Sequence, residues 1–257
     1  MRNLFNYDNK FMQMLMTIGD MIILNVLFLL TVLPLPILTM TLFGDGLSPL
    51  TMVLLALSLF PMGGAQAGLC TAAKVQADTD DDSSLVSAYF RGLRSGFGRV
   101  AIANTILLLL IMVTVTSVFN ITFLQGTEEV KSFNFPLIIS FMGLFFSLIF
   151  QSVMVLFHSR FNCTILQLFR NTALVFLLHP LRSIGMAILT WLPLLIFLLN
   201  LNFFYVATPI FLALYFAVAH LFAYAFIRKP LGFMVAKYYE KAGIPNPEEK
   251  PKEEEEA

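Results

Sequence analysis

Asp20, Asn25, Gln66 and His220 are among the polar side chains that stand inside otherwise apolar runs of this chain. Their types limit what they could do. A carboxylate in a bilayer could hold a cation or a proton, an imidazole could relay one, and the two amides could line its route. Converging on one cavity, the four would make the polar site of a small secondary transporter. Each also has a structural reading, and that reading is the stronger one. Asp20 lies near one end of its run, where it can reach interfacial water or pair with an arginine. Asn25 suits an interhelical hydrogen bond worth about 1 kcal/mol. Gln66 suits a polar contact of the same kind, and His220 a neutral, hydrogen-bonded imidazole.

Other chemistry is poorly represented. Asp78, Asp80, Asp81 and Asp82 form an acidic cluster, but counting from Asp78 puts Ser83 at position six and Tyr89 at position twelve. A calcium loop needs glycine and glutamate there. The cluster reads instead as the capped start of a helix, with Asp82, Ser83 or Ser84 as N-cap. No H-E-x-x-H, G-x-S-x-G or P-loop occurs. Cys70 and Cys163 form no C-x-x-C pair, so neither a disulfide framework nor a thiolate metal site is expected. Asn120 and Thr122 match a glycosylation acceptor, but the match falls at the end of an apolar run and is discounted. The expectation is a protein that is not an enzyme, with no catalytic residue, cofactor or metal. Nucleic acid is excluded as a partner, because no basic stripe is interleaved with aromatics.

The elements that must position these residues are apolar and long. Of 257 residues, 58% are hydrophobic and only 12% charged, with mean hydropathy +0.81. A soluble domain carries about twice that charged fraction. Six stretches reach the ~20 residues needed to cross a bilayer: roughly 19–42, 50–73, 100–124, 135–157, 184–204 and 207–227. Their continuity favours helices over the alternating pattern of a barrel. The fold class expected is all-α: a polytopic membrane helical bundle of six transmembrane helices, forming one integral membrane domain over 1–242. All Lys and Arg residues except Lys131 lie at the ends or in alternate connections. That asymmetry places both termini and the 74–99 and 158–183 connections in the cytoplasm. The first stretch reads as a retained helix, since no cleavage site follows it.

Amphipathic segments complete the plan. Residues 1–17 read as an interfacial helix on the cytoplasmic leaflet. A second such helix carries Val86, Tyr89, Phe90, Leu93 and Phe97 on one face, with Arg91 and Arg94 on the more polar side; these two arginines are candidate functional residues, at the headgroups or against a cytoplasmic partner. Leu93-Arg94-Ser95 before the third span is echoed by Leu181-Arg182-Ser183 before the fifth, which suggests a repeated architecture. Gly64, Gly68 and Ala72 share a helical face suited to close packing, inside the bundle in preference to a homodimer. Pro34, Pro36 and Pro61 should break their helices, and Pro61-Met62-Gly63-Gly64 has the look of a broken transporter helix. The proline-broken, acidic residues 243–257 are expected to be disordered.

Two segments carry a family resemblance. Ile18-Gly19-Asp20-Met21-Ile22-Ile23-Leu24-Asn25, preceded by Asn6-Tyr7-Asp8-Asn9 and continued by Leu33-Pro34 and Thr39, is the first. Tyr89-Phe90-Arg91-Gly92-Leu93-Arg94-Ser95-Gly96-Phe97 is the second, and Leu168–Leu174 is a weaker third. Together they resemble the YesL-like family of uncharacterised bacterial membrane proteins. The chain departs from that pattern at 40–60, which lengthens the region after the Pro-x-x-Thr element. The resemblance implies a multi-pass protein of the bacterial plasma membrane, an accessory or scaffold protein associated with carbohydrate uptake. Its partners would be the lipid bilayer and a membrane or cytoplasmic protein.

Overall fold

The computed structural model describes residues 10–43, 49–77, 84–119, 135–159, 161, 163–199 and 207–242. Among these the chain is helical, with no strand. The acidic cluster at 78–82, Asn120, Thr122, Lys131 and the 243–257 tail lie outside them.

The first two helices, α1 (Lys10–Val32) and α2 (Pro34–Phe43), are one apolar rod with a break at Leu33. The break follows from Pro34, which has no N–H to continue the ladder and disfavours helical geometry in the residue before it. The Leu33 amide still reaches Leu29, and Ile37 reaches Leu33, so the rod stays joined. Of the interfacial helix expected over 1–17, residues 1–9 lie outside the described residues, and residues 10–17 run into α1 without interruption.

The next rod breaks the same way. α3 (Pro49–Ser58) meets α4 (Phe60–Ala77) just before Pro61, and Ser58 returns its hydroxyl to Leu55 at 2.7 Å. α4 is the central helix. The rod it belongs to is 61% buried over its apolar window, against 28% for the α1–α2 rod. Its composition explains this, because Gly63, Gly64, Ala65, Ala67, Gly68 and Ala72 let neighbours approach closely. One core joins α4 to α1 and to α5 (Leu85–Gly96) through Met21, Leu24, Phe28, Leu69 and Tyr89. A second core lies across α4, where Ala67, Cys70 and Ala73 meet Val100, Leu107, Val153 and Met154. The last four belong to α6 (Arg99–Phe119) and α7 (Phe135–His158).

Ser84 is the N-cap of α5, accepting a bond from the Ser87 amide at 3.2 Å. α5 turns by 70° into α6 at Phe97-Gly98. Further on, α8 (Ile165–Leu178) opens with a capping box between Thr164 and Gln167. It turns by 113° at His179 into α9 (Pro180–Leu199). Pro180 suits that first helical position, where no N–H is needed. In both pairs a short helix precedes a long one. The Leu-Arg-Ser echo does not superpose: it closes α5 before the first bend but lies inside α9 after the second. The last described elements are a π-helical segment, Phe211–Tyr215, and α10 (Phe216–Ala242), which follows it.

Among the described residues, four helical rods are long and apolar enough to cross a membrane, or up to six if each bent pair counts as one span. Large apolar side chains face outward on all of them, among them Leu30, Ile37, Leu57, Phe141 and Phe222. A soluble monomer rarely exposes so much contiguous apolar surface.

Candidate functional site

Asn25 is fully buried where α1 crosses the π-helical segment. Its Nδ2 donates to the Phe211 carbonyl at 3.2 Å and to the Leu212 carbonyl at 2.7 Å, and its Oδ1 accepts from the Ala217 amide at 3.2 Å. A π bulge displaces backbone groups from the i−4 ladder. One carboxamide bonds three backbone groups here. His220 lies one turn further along α10. Its Nδ1 lies 2.8 Å from the Phe216 carbonyl, and its ring centroid is 6.3 Å from that of Phe28 on α1. Asn25 and His220 are therefore brought to one interface, each bonded to helix backbone.

A second repair sits beside it. Pro193, inside α9, leaves the Leu189 carbonyl without its helical donor. The Tyr215 hydroxyl donates to that carbonyl. Prolines persist in membrane helices where a neighbour re-satisfies the freed group.

Gln66 goes elsewhere. It faces α7, where Gln151 Nε2 donates to its Oε1. Both glutamines are buried, as is Asn104 on α6. Asn104 packs on Gly63: a Cβ at that glycine would lie 2.8 Å from the Asn104 Cβ. Gly63 and Gln66 share a face of α4. Asn104 Nδ2 and Oδ1 and Gln151 Oε1 have no hydrogen-bond partner. Asn104 and Gln151 were legible as amides within apolar runs, the same signal that marks Asn25 and Gln66.

Asp20 stands apart, half-buried on the first half of α1, and makes no ion pair among the described residues. The expected arginine partner is thus not found there. Its position three helical residues from Thr17 and away from the core face leaves the carboxylate partly in reach of the surface. The transporter quartet accordingly separates into Asn25 with His220, Gln66 with Gln151, and Asp20 alone.

The glycine face of α4 receives α5. Cβ atoms added at Gly64 and Gly68 would meet Phe97 at 3.3 Å and Tyr89 at 2.8 Å, and one at Gly92 would meet the Ala67 carbonyl at 2.6 Å. Ala72 is buried on the same helix. Tyr89 is fully buried, and its hydroxyl lies 3.1 Å from Thr31 Oγ1.

Arg91 and Arg94 are both exposed on α5. Arg94 lines a cavity of about 570 Å³ between the start of α6 and the end of α7, with Ser95, Arg99, His158, Ser159 and Phe161. Arg99 Nη1 also donates to the Cys163 carbonyl at 3.3 Å. Burial pushes the Cys163 thiol up; a contact from Asn171 and the Arg99 charge act in the opposite direction. Among the described residues no group of three His, Cys, Asp or Glu side chains could hold a metal ion.

No protein-family model matches this chain, and no match is found among curated proteins or solved structures. The YesL-like resemblance therefore rests on the segments quoted above.

Proposed function

We propose that this chain is a multi-pass accessory or scaffold protein of a bacterial plasma membrane, with six spans, both termini in the cytoplasm and no enzymatic activity of its own. The observation that carries the scaffold reading is the use made of the polar residues. Asn25, His220 and Tyr215 bond helix backbone, and Gln66 is held by Gln151. These bonds lock helices together, and they tie Asn25 and His220 to the last helices but Gln66 to α7. Six spans are supported by length: at 1.5 Å per residue, α6 with 21 residues and α9 with 20 each reach about 30 Å. The basic asymmetry supports the sidedness. α5 and α8, turned sharply from the helices they precede, suit interfacial segments; Phe90 and Leu166 remain exposed on them for lipid or a partner. The link to carbohydrate uptake comes from the YesL-like resemblance alone.

One observation favours a second reading, a small transporter. The unpaired amide of Asn104, packed on Gly63 of α4, is a polar group inside the bundle. Two measurements separate the readings. Cross-linking in native membranes followed by affinity isolation should recover a defined membrane partner, a sugar-uptake component if the resemblance holds. Proteoliposomes containing this chain alone should accumulate no sugar. Uptake by the purified chain, abolished by Asn104→Leu in a protein of unchanged thermal stability, would establish the transporter instead.

A further inference from the structure

The three most exposed large apolar side chains among the described residues lie close together in the chain. Leu181 is 84% exposed, Leu166 80% and Leu177 71%. They belong to α8 and the first turn of α9, and they exceed Leu30, on the outward face of α1, at 66%. Helical periodicity divides α8 into sectors. Leu168, Thr172 and Val175 are buried and hold it to the bundle. On one flank the apolar arc continues past them, through half-buried Phe169 and Phe176 to exposed Leu166 and Leu177. On the other flank stand Gln167 and Asn171, already engaged with Thr164 and Cys163. Arg170 is exposed at the border, one turn from Leu166. Leu174 and Leu178 widen the apolar surface toward the bend.

An open apolar flank beside a polar edge suits a membrane interface. The direction of α8 agrees. It meets α9 at 113°, so a span along α9 leaves α8 near the plane of the bilayer. Its leucines run on into outward-facing Leu181 and Ile188 of α9, a face that meets acyl chains along the span. A cytoplasmic protein seated there would have to straddle headgroups and hydrocarbon, whereas lipid covers the surface without interruption. α5 makes the contrast. It too is bent from the helix it precedes, but Tyr89 is fully buried, and Gly92 and Gly96 press on α4. Protein contacts hold α5 in place. Charge completes the argument. The chain has no Asp or Glu between Glu129 and Glu240, so Arg170 and exposed Arg182 meet no carboxylate from their own segment. Guanidinium groups at the edge of a leucine surface match the phosphates of an anionic leaflet.

We propose that α8 is seated in the cytoplasmic leaflet, with Leu166 and Leu177 among the acyl chains and Arg170 and Arg182 on the headgroups of an anionic phospholipid. This rests on the membrane reading above and deepens it. Of the two bent-off helices, α8 is the one that binds lipid, and it selects for charge.

The test places a bimane label on Leu166→Cys or Leu177→Cys of the full chain, with Cys163→Ser removing the half-buried native thiol. The protein is held in nanodiscs of phosphatidylcholine and phosphatidylglycerol. Dibrominated acyl chains on one lipid or the other report which lies beside the label, and iodide reports water. Both labels should be quenched by brominated lipid and screened from iodide. Brominated phosphatidylglycerol should quench more than brominated phosphatidylcholine. Arg170→Gln and Arg182→Gln should each reduce that preference, by up to about fivefold. Arg91→Gln, on α5, should leave it unchanged. The labelled and substituted side chains are all exposed, so these variants leave the core intact. Quenching by iodide alone lifts α8 off the membrane and overturns the proposal. Protection from both quenchers puts a second copy on the surface and overturns it as well. Equal quenching by the two brominated lipids removes the charge selection and does the same. A label on Ile37→Cys, exposed on α2, separates this from the wider reading. Lipid quenching there, with none at Leu166 and Leu177, rejects the α8 site alone; none at all three rejects the membrane reading with it.

Discussion

Asn25 Nδ2 donates to the Leu212 carbonyl at 2.7 Å, a bond that joins helices 187 positions apart in the chain. The same carboxamide bonds the Phe211 carbonyl and the Ala217 amide, so its removal strips a hydrogen bond from each of three backbone groups in an apolar interface. Asn25→Leu should lower stability by about 2 kcal/mol, above the ~0.6 kcal/mol typical of a single interhelical bond. Thermal unfolding in detergent measures this. A variant that melts like the wild type but has lost its cellular role would make Asn25 a functional group.

Tyr215 and Pro193 give a sharper test, because the proposed repair can be made unnecessary. Tyr215→Phe should cost about 1–2 kcal/mol by leaving the Leu189 carbonyl unpaired. Pro193→Ala restores the N–H that the helix lacks. Tyr215→Phe should therefore cost much less in the Pro193→Ala background. Equal costs in both backgrounds would show that the hydroxyl contributes only packing.

Much of this geometry was legible in the sequence, and the limits have physical causes. The breaks at Pro34 and Pro61 follow from the missing N–H, and the glycine face of α4 follows from spacing. Asn25 was legible as an interhelical donor because an amide in an apolar run needs a partner. Its acceptors were not, since no sequence signal marks which backbone carbonyls a π segment exposes. Arg94 and His158 were each visible, but their meeting depends on how α6 and α7 pair, which local pattern does not encode. Residues 1–9 of the expected interfacial helix lie outside the described residues, and the described part, from Lys10, continues into α1 because no helix-breaking residue interrupts it.

The contact between α4 and α5 predicts opposite outcomes for chemically identical substitutions. Gly92→Ala would place a methyl 2.6 Å from the Ala67 carbonyl and 2.4 Å from Thr71 Oγ1. It should destabilise by roughly 1–3 kcal/mol through overpacking. Gly19→Ala and Gly232→Ala meet nothing within 4 Å and should be neutral or stabilising by up to about 1 kcal/mol. Melting temperatures of the three variants decide it. A tolerated Gly92→Ala would mean that α5 docks less tightly than described.

The paired glutamines should couple. Gln66→Leu alone leaves Gln151 buried with no partner on either amide atom, since its Oε1 already has none. Replacing both with leucine removes the polar groups together. The double variant should then be about 1 kcal/mol more stable than the sum of the single effects predicts. Strict additivity would show that the bond contributes nothing to the bundle.

Sidedness can be read from a native thiol. Cys163 is half-buried in the connection between α7 and α8, on the side where the basic residues gather, while Cys70 is buried within α4. A membrane-impermeant maleimide should leave Cys163 unlabelled in intact cells and label it in inverted vesicles. Reaction there should be slow at neutral pH. Burial raises the thiol, so less thiolate is present than in a free cysteine, and the rate should climb about tenfold per pH unit until the raised value is passed. Ser84→Cys, at the cap of α5, should share the sidedness, whereas cysteines replacing Ser48 or Gly126 should label from outside and one replacing Glu249 only from inside. The last three positions lie outside the described residues and test the charge asymmetry directly. Labelling of Cys163 or Ser84→Cys from outside would invert the topology.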